Sequence, residues 1–290
     1  AYMKYIIYIL LFFPIWVTAQ TYKYIGIEEG LSNRRIFSIQ KDAEGYMWFL
    51  TNEGMDRYNG KDIKHYRLNK DDNSLESPIH LGWIYTNPHI GTWVIGKQGR
   101  VFQYERKYDD FKLVYKLPNS LETISYGYMD RNNNIWLCRK HSILLYNTEN
   151  AQILQFTNIL HSNITAIEQV DDHHFFISTE TGVRYLKLEN GTLKIIPTET
   201  LDYFHVQVNE LYCHQASKRL LIGSFERGLF VYDMNNREII KPEVDLSDVS
   251  ITCMAPLDES QLLISTEGMG VYKININTCQ MEQYIVANYQ

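Results

Sequence analysis

Neither charge sign is in marked excess in this chain of 290 residues: 28 Lys and Arg stand against 34 Asp and Glu, a formal charge of −6, and no block of like charge stands out. A nucleic-acid partner needs a concentrated basic face, so none is expected. Cysteine is scarce as well. Cys138, Cys213, Cys253 and Cys279 lack the tight spacing of a disulfide framework. They read as free thiols filling small core sites, with a Cys213–Cys253 bridge, at similar points of two adjacent repeats, as the alternative. Beyond residue 20 no stretch approaches the ~18 apolar residues of a membrane helix, and no repeat has a convincing helical period. There is no Gly-x-Ser-x-Gly elbow, phosphate loop or His-Glu-x-x-His, and nothing nominates an Asp or Glu pair for glycoside cleavage. His173-His174 makes a poor metal site, because adjacent strand residues point to opposite faces and a turn position is solvated. No cofactor and no metal is expected.

Apolar residues are plentiful, at 45% of the chain, which suffices for a large core or a repeat array. The first twenty residues stand apart. Lys4 precedes an apolar run from Tyr5 to Val17, broken only by Pro14, and Thr18-Ala19 follow before Gln20. The run is short for a bilayer and its small-residue end suits signal peptidase, so residues 1–19 read as an export signal cut after Ala19. A retained signal anchor is the alternative; no Cys follows the run, so a lipid anchor is not supported.

Residues 20–290 repeat one phrase about six times, at a period of about 40 to 45 residues, the size of a propeller blade. Its clearest copies are Trp48-Phe49-Leu50-Thr51 with Gly54 and Tyr58, Trp93-Val94-Ile95-Gly96 with Gly99 and Tyr104, and Leu221-Ile222-Gly223-Ser224 with Gly228 and Tyr232. In the first unit, Ile36 to Gln40, Tyr46 to Thr51, Met55 to Tyr58 and Ile63 to Arg67 alternate as strands, separated by Asp42-Ala43-Glu44-Gly45, Asn52-Glu53-Gly54 and Asn59-Gly60 turns. Four short antiparallel strands make one blade. The prediction is an all-β propeller, six four-stranded blades of a seven-bladed ring, with a complete six-bladed ring as the alternative. The seventh blade is inferred from the ends: Thr21 to Ile27 reads as an extra strand, while the sixth unit already has an outer strand at Gln280 to Val286. On that reading the chain is the front part of a longer protein. Trp48, Trp93 and Trp136 recur with the period and are expected between blades, and the repeated Gly is expected at positive φ.

The stretch from Glu29 to Gly60 closely resembles the opening of two-component regulator propeller proteins. Gly30-Leu31-Ser32-Asn33, the Asp42-x-x-Gly45-x-x-Trp48 phrase and Thr51-x-x-Gly54-x-x-x-Tyr58 match in order; weaker repeats carry the resemblance to the end, with Phe176, Leu221 and Leu263 in place of the Trp. The resemblance implies the periplasmic sensor of a hybrid two-component system that responds to oligosaccharides from polysaccharide breakdown and has no catalysis of its own. It also implies partners in the same protein, a second propeller and an inner-membrane-linked kinase, with a homodimer in view.

In a propeller, the loops from one blade's outer strand to the next blade's inner strand share a face with the loops between second and third strands. That face collects Asn33, Arg34, Arg35, Glu53, His80, Arg139, His141 and Arg227, with Trp83 and Tyr126 as aromatic candidates. Asn52, Lys97, Gln98, Asn163, Glu180, His205, Asn209, Glu226 and Glu267 fall on it too, and Tyr85 and Tyr128 add aromatic area. Planar donors and acceptors beside flat rings suit the hydroxyls and C–H faces of a sugar. Two other readings compete with a sensor. A secreted lyase or hydrolase would need a channel-mouth cluster with shifted pKa values, and a protein-contact scaffold would show a large apolar patch.

Overall fold

A computed structural model describes residues 23–66, 81–118 and 123–286; the export signal, His80 and the start of the expected Thr21–Ile27 strand lie outside them. Blade 1 comprises β1 (Ile36–Lys41), β2 (Met47–Thr51), β3 (Gly54–Tyr58) and β4 (Ile63–Tyr66). Blade 2 is β5 (Leu81–Asn87), β6 (Gly91–Gly96), β7 (Arg100–Glu105) and β8 (Asp110–Lys116). Blade 3 is β9 (Tyr126–Met129), β10 (Asn134–Cys138), β11 (Ser142–Asn147) and β12 (Ile153–Thr157). Blade 4 is β13 (Ile164–Gln169), β14 (His174–Thr179), β15 (Gly182–Glu189) and β16 (Thr192–Ile196), followed by a single helical turn, α1 (Glu199–Asp202). Blade 5 is β17 (Val208–His214), β18 (Arg219–Ser224), β19 (Leu229–Asp233) and β20 (Glu238–Ile240); blade 6 is β21 (Ile251–Pro256), β22 (Gln261–Thr266), β23 (Gly270–Asn275) and β24 (Met281–Ile285). Each blade is a four-stranded antiparallel meander in sequence order, and the six stand in a ring as a β-propeller, all-β as predicted.

The blade phrase has a local cause. Asp42 Oδ1 accepts the backbone N–H groups of Glu44 (3.0 Å) and Tyr46 (2.9 Å), closing the β1–β2 turn, while Oδ2 accepts the Trp48 indole N–H at 2.7 Å. Asp130 repeats the arrangement with Asn132, Asn134 and the Trp136 indole at 2.9 Å. One carboxylate thus shapes a turn and anchors the ring that enters the blade interface. In blade 2, Asn87 caps the turn and the Trp93 indole donates to the Ile90 carbonyl instead. The second turn also recurs: the hydroxyls of Thr51, Thr179, Ser224 and Thr266 donate to the carbonyls of Gly54, Gly182, Gly228 and Gly270. Those glycines have φ of +128°, +136°, +74° and +83°, a conformation that penalises any Cβ.

Five apolar clusters join neighbouring blades in turn, from blades 1 and 2 to blades 5 and 6. Trp48 and Trp136 are fully buried in them and Trp93 is nearly so. At the rim of the first interface, Asp109 accepts the hydroxyls of Tyr66 and Tyr104, both at 2.6 Å, and pairs with Arg57 at 2.9 Å. The remaining cluster, Leu31, Phe49 and Tyr58, is covered by Ile25 rather than by another blade.

Two expectations need correction. Residues 23–27 form no strand. Gly26 donates to the Glu29 carboxylate at 2.7 Å, and Leu31 N–H returns to the Gly26 carbonyl at 2.9 Å, so the segment curls back onto blade 1. A Gly-x-x-Glu-Gly sequence turns where the apolar letters alone suggested extension. All four cysteines are free, but only Cys138 and Cys213 are buried; Cys253 is exposed and Cys279 half-buried.

Candidate ligand site at the mouth of the central channel

The inner strands β1, β5, β9, β13, β17 and β21 neighbour one another in order around the axis. Five of the six break register between their first and third residues: Ile36/Ser38, Leu81/Trp83, Ile164/Ala166, Val208/Glu210 and Ile251/Cys253. A bulge inserts one residue without a partner and re-aims it. Thr165 and Asn209 occupy bulged positions, and both line a cavity of about 520 Å³ on the face singled out by the loop argument. Trp83 and Tyr126 supply its aromatic wall, edge to face at 5.6 Å between centroids. Asn163 and Glu180 stand at its rim, joined by a 3.2 Å hydrogen bond. Thr165 shares a 2.9 Å hydrogen bond with Ser178, and the Asn209 amide donates to the Ile251 carbonyl at 3.1 Å, so the polar wall is held before any ligand arrives.

Deeper in the channel the walls are tyrosine and glutamate. Tyr85 donates to the Gly127 carbonyl at 2.8 Å and packs edge-on to Tyr128 at 6.0 Å. Burial pushes the hydroxyls of Tyr85 and Tyr126 well above the ordinary tyrosine range, with the charge of Glu210 adding to both. Burial likewise raises Glu168 to about 7 and Glu210 to about 8, the latter also through repulsion from Glu168. Both side chains are half-buried on inner strands, and the burial disfavours their charged form. The Cys213 N–H donates to Glu168 at 3.2 Å.

A second cavity of about 610 Å³ lies beside blade 5, formed by His205 to Gln207, Phe225 to Arg227 and Asp248. A smaller, mostly apolar cleft of about 260 Å³ between blades 4 and 5 is lined by Phe176, Tyr185 and Tyr232. Thr198, Glu199 and Arg237 also line this cleft, so polar groups able to orient a sugar stand beside aromatic rings here as well as at the mouth.

The structure therefore brings Trp83 and Tyr126 together in the mouth and puts Arg227 in the second cavity. Asn33, Arg34, Arg35 and Glu53 lie on loops of blade 1 and line neither; Asn33 caps the N–H of Arg35 at 2.8 Å, and Arg35 lies over the Phe37 ring at 5.0 Å. Arg139 and His141 flank the β10–β11 turn and line neither cavity; the Arg139 Nη2 is buried with no hydrogen-bond partner among the described residues, and His141 lies 6.2 Å from the His161 ring. Sequence reasoning missed Glu168 and Glu210. The available signal was a carboxylate on each of two inner strands, as the fifth residue of Ile164–Gln169 and the third of Val208–His214. Among the described residues no group of three or more His, Cys, Asp or Glu could hold a metal, and no helix is long and apolar enough to cross a membrane. His174 pairs with Asp171 at 2.8 Å instead.

Residues 30–53 match the family model described as two component regulator propeller. The matched stretch lies in the first blade and holds β1 and β2, with Asp42, Trp48 and Thr51 and their hydrogen bonds. The whole chain is similar to the extracellular domain of the hybrid two component system BT3049 from B. thetaiotaomicron, at 21% identity and a TM-score of 0.73 over 92% of this chain and 37% of that one. It is similar to the corresponding domain of BT4673 from the same organism, at 18% identity and a TM-score of 0.70 over 93% of this chain and 35% of that one. Virginiamycin B lyase from Staphylococcus aureus has a TM-score of 0.66 at 14% identity, over 88% of this chain and 85% of the lyase. At these identities the likeness establishes the fold, and the chain spans little more than a third of the two B. thetaiotaomicron domains. No curated protein matches it.

Proposed function

We propose that this propeller is a ligand-sensing part of a periplasmic module in a hybrid two-component signalling protein, that it binds an oligosaccharide at the channel mouth, and that it catalyses nothing itself. The observation that carries the reading is the mouth cavity, where the Trp83–Tyr126 pair stands beside the fixed amides of Asn163 and Asn209. Rings stack on the C–H faces of sugars and amides match their hydroxyls. The two component regulator propeller match in blade 1 and the similarity to extracellular domains of hybrid two component systems support placing such a site outside the inner membrane. Export by residues 1–19, a second propeller and a membrane-linked kinase in the same protein, and a homodimer as the signalling state complete the proposal. Signalling requires that ligand bind two states of that assembly unequally.

Calorimetric titration against a panel of neutral oligosaccharides tests it, with the sugar analysed afterwards. Saturable binding, lost in Trp83→Ala and kept in Arg34→Ala, with the sugar recovered intact, is expected. Loss in Arg34→Ala alone would move the site to the blade 1 loops.

A second reading rests on the channel. Two glutamates and two tyrosines with raised pKa values are the groups a propeller lyase or hydrolase would use for acid–base work. Cleaved sugar in the same titration would select that reading.

A further inference from the structure

Blades 1 and 2 meet through the same positions as blades 4 and 5, and the first interface is filled where the second is open. Arg57 is the fourth residue of β3 and pairs across the strands with Trp48; Tyr185 is the fourth residue of β15 and pairs with Phe176, which stands where the Trp is lost. Tyr104 and Asp109 directly precede Glu105 and Asp110, the pair that closes the β7–β8 turn. Tyr232 and Arg237 directly precede the matching pair, Asp233 and Glu238. Asp109 and Arg237 also share a positive φ, +49° and +59°. In the first interface the Arg57 guanidinium lies 4.6 to 5.6 Å from the rings of Tyr46, Trp48, Tyr66 and Tyr104, and the Asp109 carboxylate accepts the Tyr66 and Tyr104 hydroxyls. Both fillings are lost between blades 4 and 5. Phe176 is smaller than a Trp and stands 6.3 Å from Tyr232, against 5.0 Å between Trp48 and Tyr104. A guanidinium in the place of Asp109 accepts no hydrogen bond, and among the described residues neither the Tyr185 nor the Tyr232 hydroxyl makes one. What remains is the cleft of about 260 Å³, walled by Phe176, Tyr185 and Tyr232, with Glu199 and Arg237 exposed at its rim. The Tyr185 ring lies flat on the His174 ring, at 5.5 Å and 12°, so this wall is set before any ligand arrives.

We infer that the cleft is a second binding site, and that it takes a single neutral sugar ring. It shares no lining residue with the mouth, and its rings stand on β14, β15 and β19 rather than on inner strands, so the inference does not depend on what the mouth binds. Its volume of about 260 Å³ lies below the ~300–1,000 Å³ of sites for drug-sized ligands, which limits the occupant to one ring. The aromatic walls suit the C–H face of a sugar. The two phenols and Arg237 donate to its oxygens, and Glu199 accepts from its hydroxyls. A purely apolar ring would leave both phenols without a partner. The opposite charges of Glu199 and Arg237 favour neither an anionic nor a cationic ring.

Ligand-observed NMR titration tests the site in the Trp83→Ala chain, whose mouth has lost its larger ring. The probes are the methyl glycosides of glucose, galactose and mannose, with methyl glucuronide as the anionic counterpart and p-cresol as the apolar one. At least one neutral glycoside should bind saturably and more tightly than either counterpart. Adding Tyr232→Phe, which keeps the buried ring and removes only its hydroxyl, should weaken that binding about tenfold. Arg237→Asp puts back the carboxylate of the first interface at a φ that Asp tolerates, so it should bond the Tyr185 and Tyr232 hydroxyls and abolish binding. Tyr232→Phe decides alone if Arg237→Asp does not fold. Absence of binding by all three neutral glycosides would overturn the inference. So would tighter binding of methyl glucuronide or p-cresol, or neutral binding that Tyr232→Phe leaves unchanged.

Discussion

The Asp42 carboxylate accepts three hydrogen bonds, two from its own turn and one from Trp48, and through that ring it ties blade 1 to blade 2. The Asp-x-x-Gly-x-x-Trp spacing was legible because a turn and a periodic bulky residue leave a signature in the letters; the bond joining them did not. Trp48 is fully buried against Tyr66, Tyr104 and Phe111 at 5.0 to 5.6 Å. Trp48→Ala should therefore cost about 3 to 5 kcal/mol in denaturant unfolding; an unchanged midpoint would place the ring outside the interface. Glu210 is the opposite case, since a carboxyl in an alternating strand reads as a solvated face. In the folded chain it titrates near 8 and Glu168 near 7, both above the ordinary value, so the native state holds protons that the unfolded chain gives up. The stability they contribute is complete below the unfolded pKa and falls as pH rises through 7 and 8. Glu210→Gln should accordingly leave the melting temperature at acid pH nearly unchanged and raise it above pH 8, and equal melting curves of mutant and parent across that range would show that the carboxyl is solvated.

At the scale of strands, the first unit was legible almost to the residue and the other five by their turns and blade phrase, because turn letters survive even where the Trp is lost. The bulges were not. An extra residue near the start of β13 or β17 shifts the alternation by one and looks like ordinary noise, yet it is what turns Thr165 and Asn209 toward the mouth. The second turn of each blade has a stricter requirement. Gly182 has φ +136°, and a Cβ there would stand 2.2 Å from the Phe204 carbonyl oxygen, in the loop that feeds blade 5. Neither the backbone nor that carbonyl can yield cheaply, since Phe204 is itself buried in the cluster between blades 4 and 5. Gly182→Ala should lower stability by more than about 1 kcal/mol in thermal unfolding, whereas Gly45→Ala, strained at φ +91° but with nothing within 4 Å of its Cβ, should cost less. Equal losses would mean that backbone conformation alone, not the contact, sets the penalty.

For the whole molecule, the question is how the ring ends. Residues paired directly across strands share a face, so Ile39, opposite Phe49, looks away from blade 2, and Leu263, opposite Ala255 and Lys273, looks away from blade 5. Ile39 is 49% exposed, Ile285 is 44% exposed, and Cys253 is exposed on the same side of blade 6. Both end faces thus present apolar surface, and no apolar cluster of the described residues spans from blade 6 to blade 1. The expected N-terminal strand, which suggested a seventh blade, is absent from residues 23–27, and substitutions on these two faces distinguish a ring with a covering blade from one without it. If a further blade fills the gap, Ile39→Lys and Leu263→Lys should each change the stability of the 290-residue chain by no more than about 0.5 kcal/mol. The same substitutions should cost about 2 kcal/mol or more once a covering blade is present, because each then buries an ammonium in an apolar joint. A six-bladed ring closed on itself makes the opposite demand: both substitutions would destabilise the 290-residue chain outright, since blade 6 would already lie against blade 1.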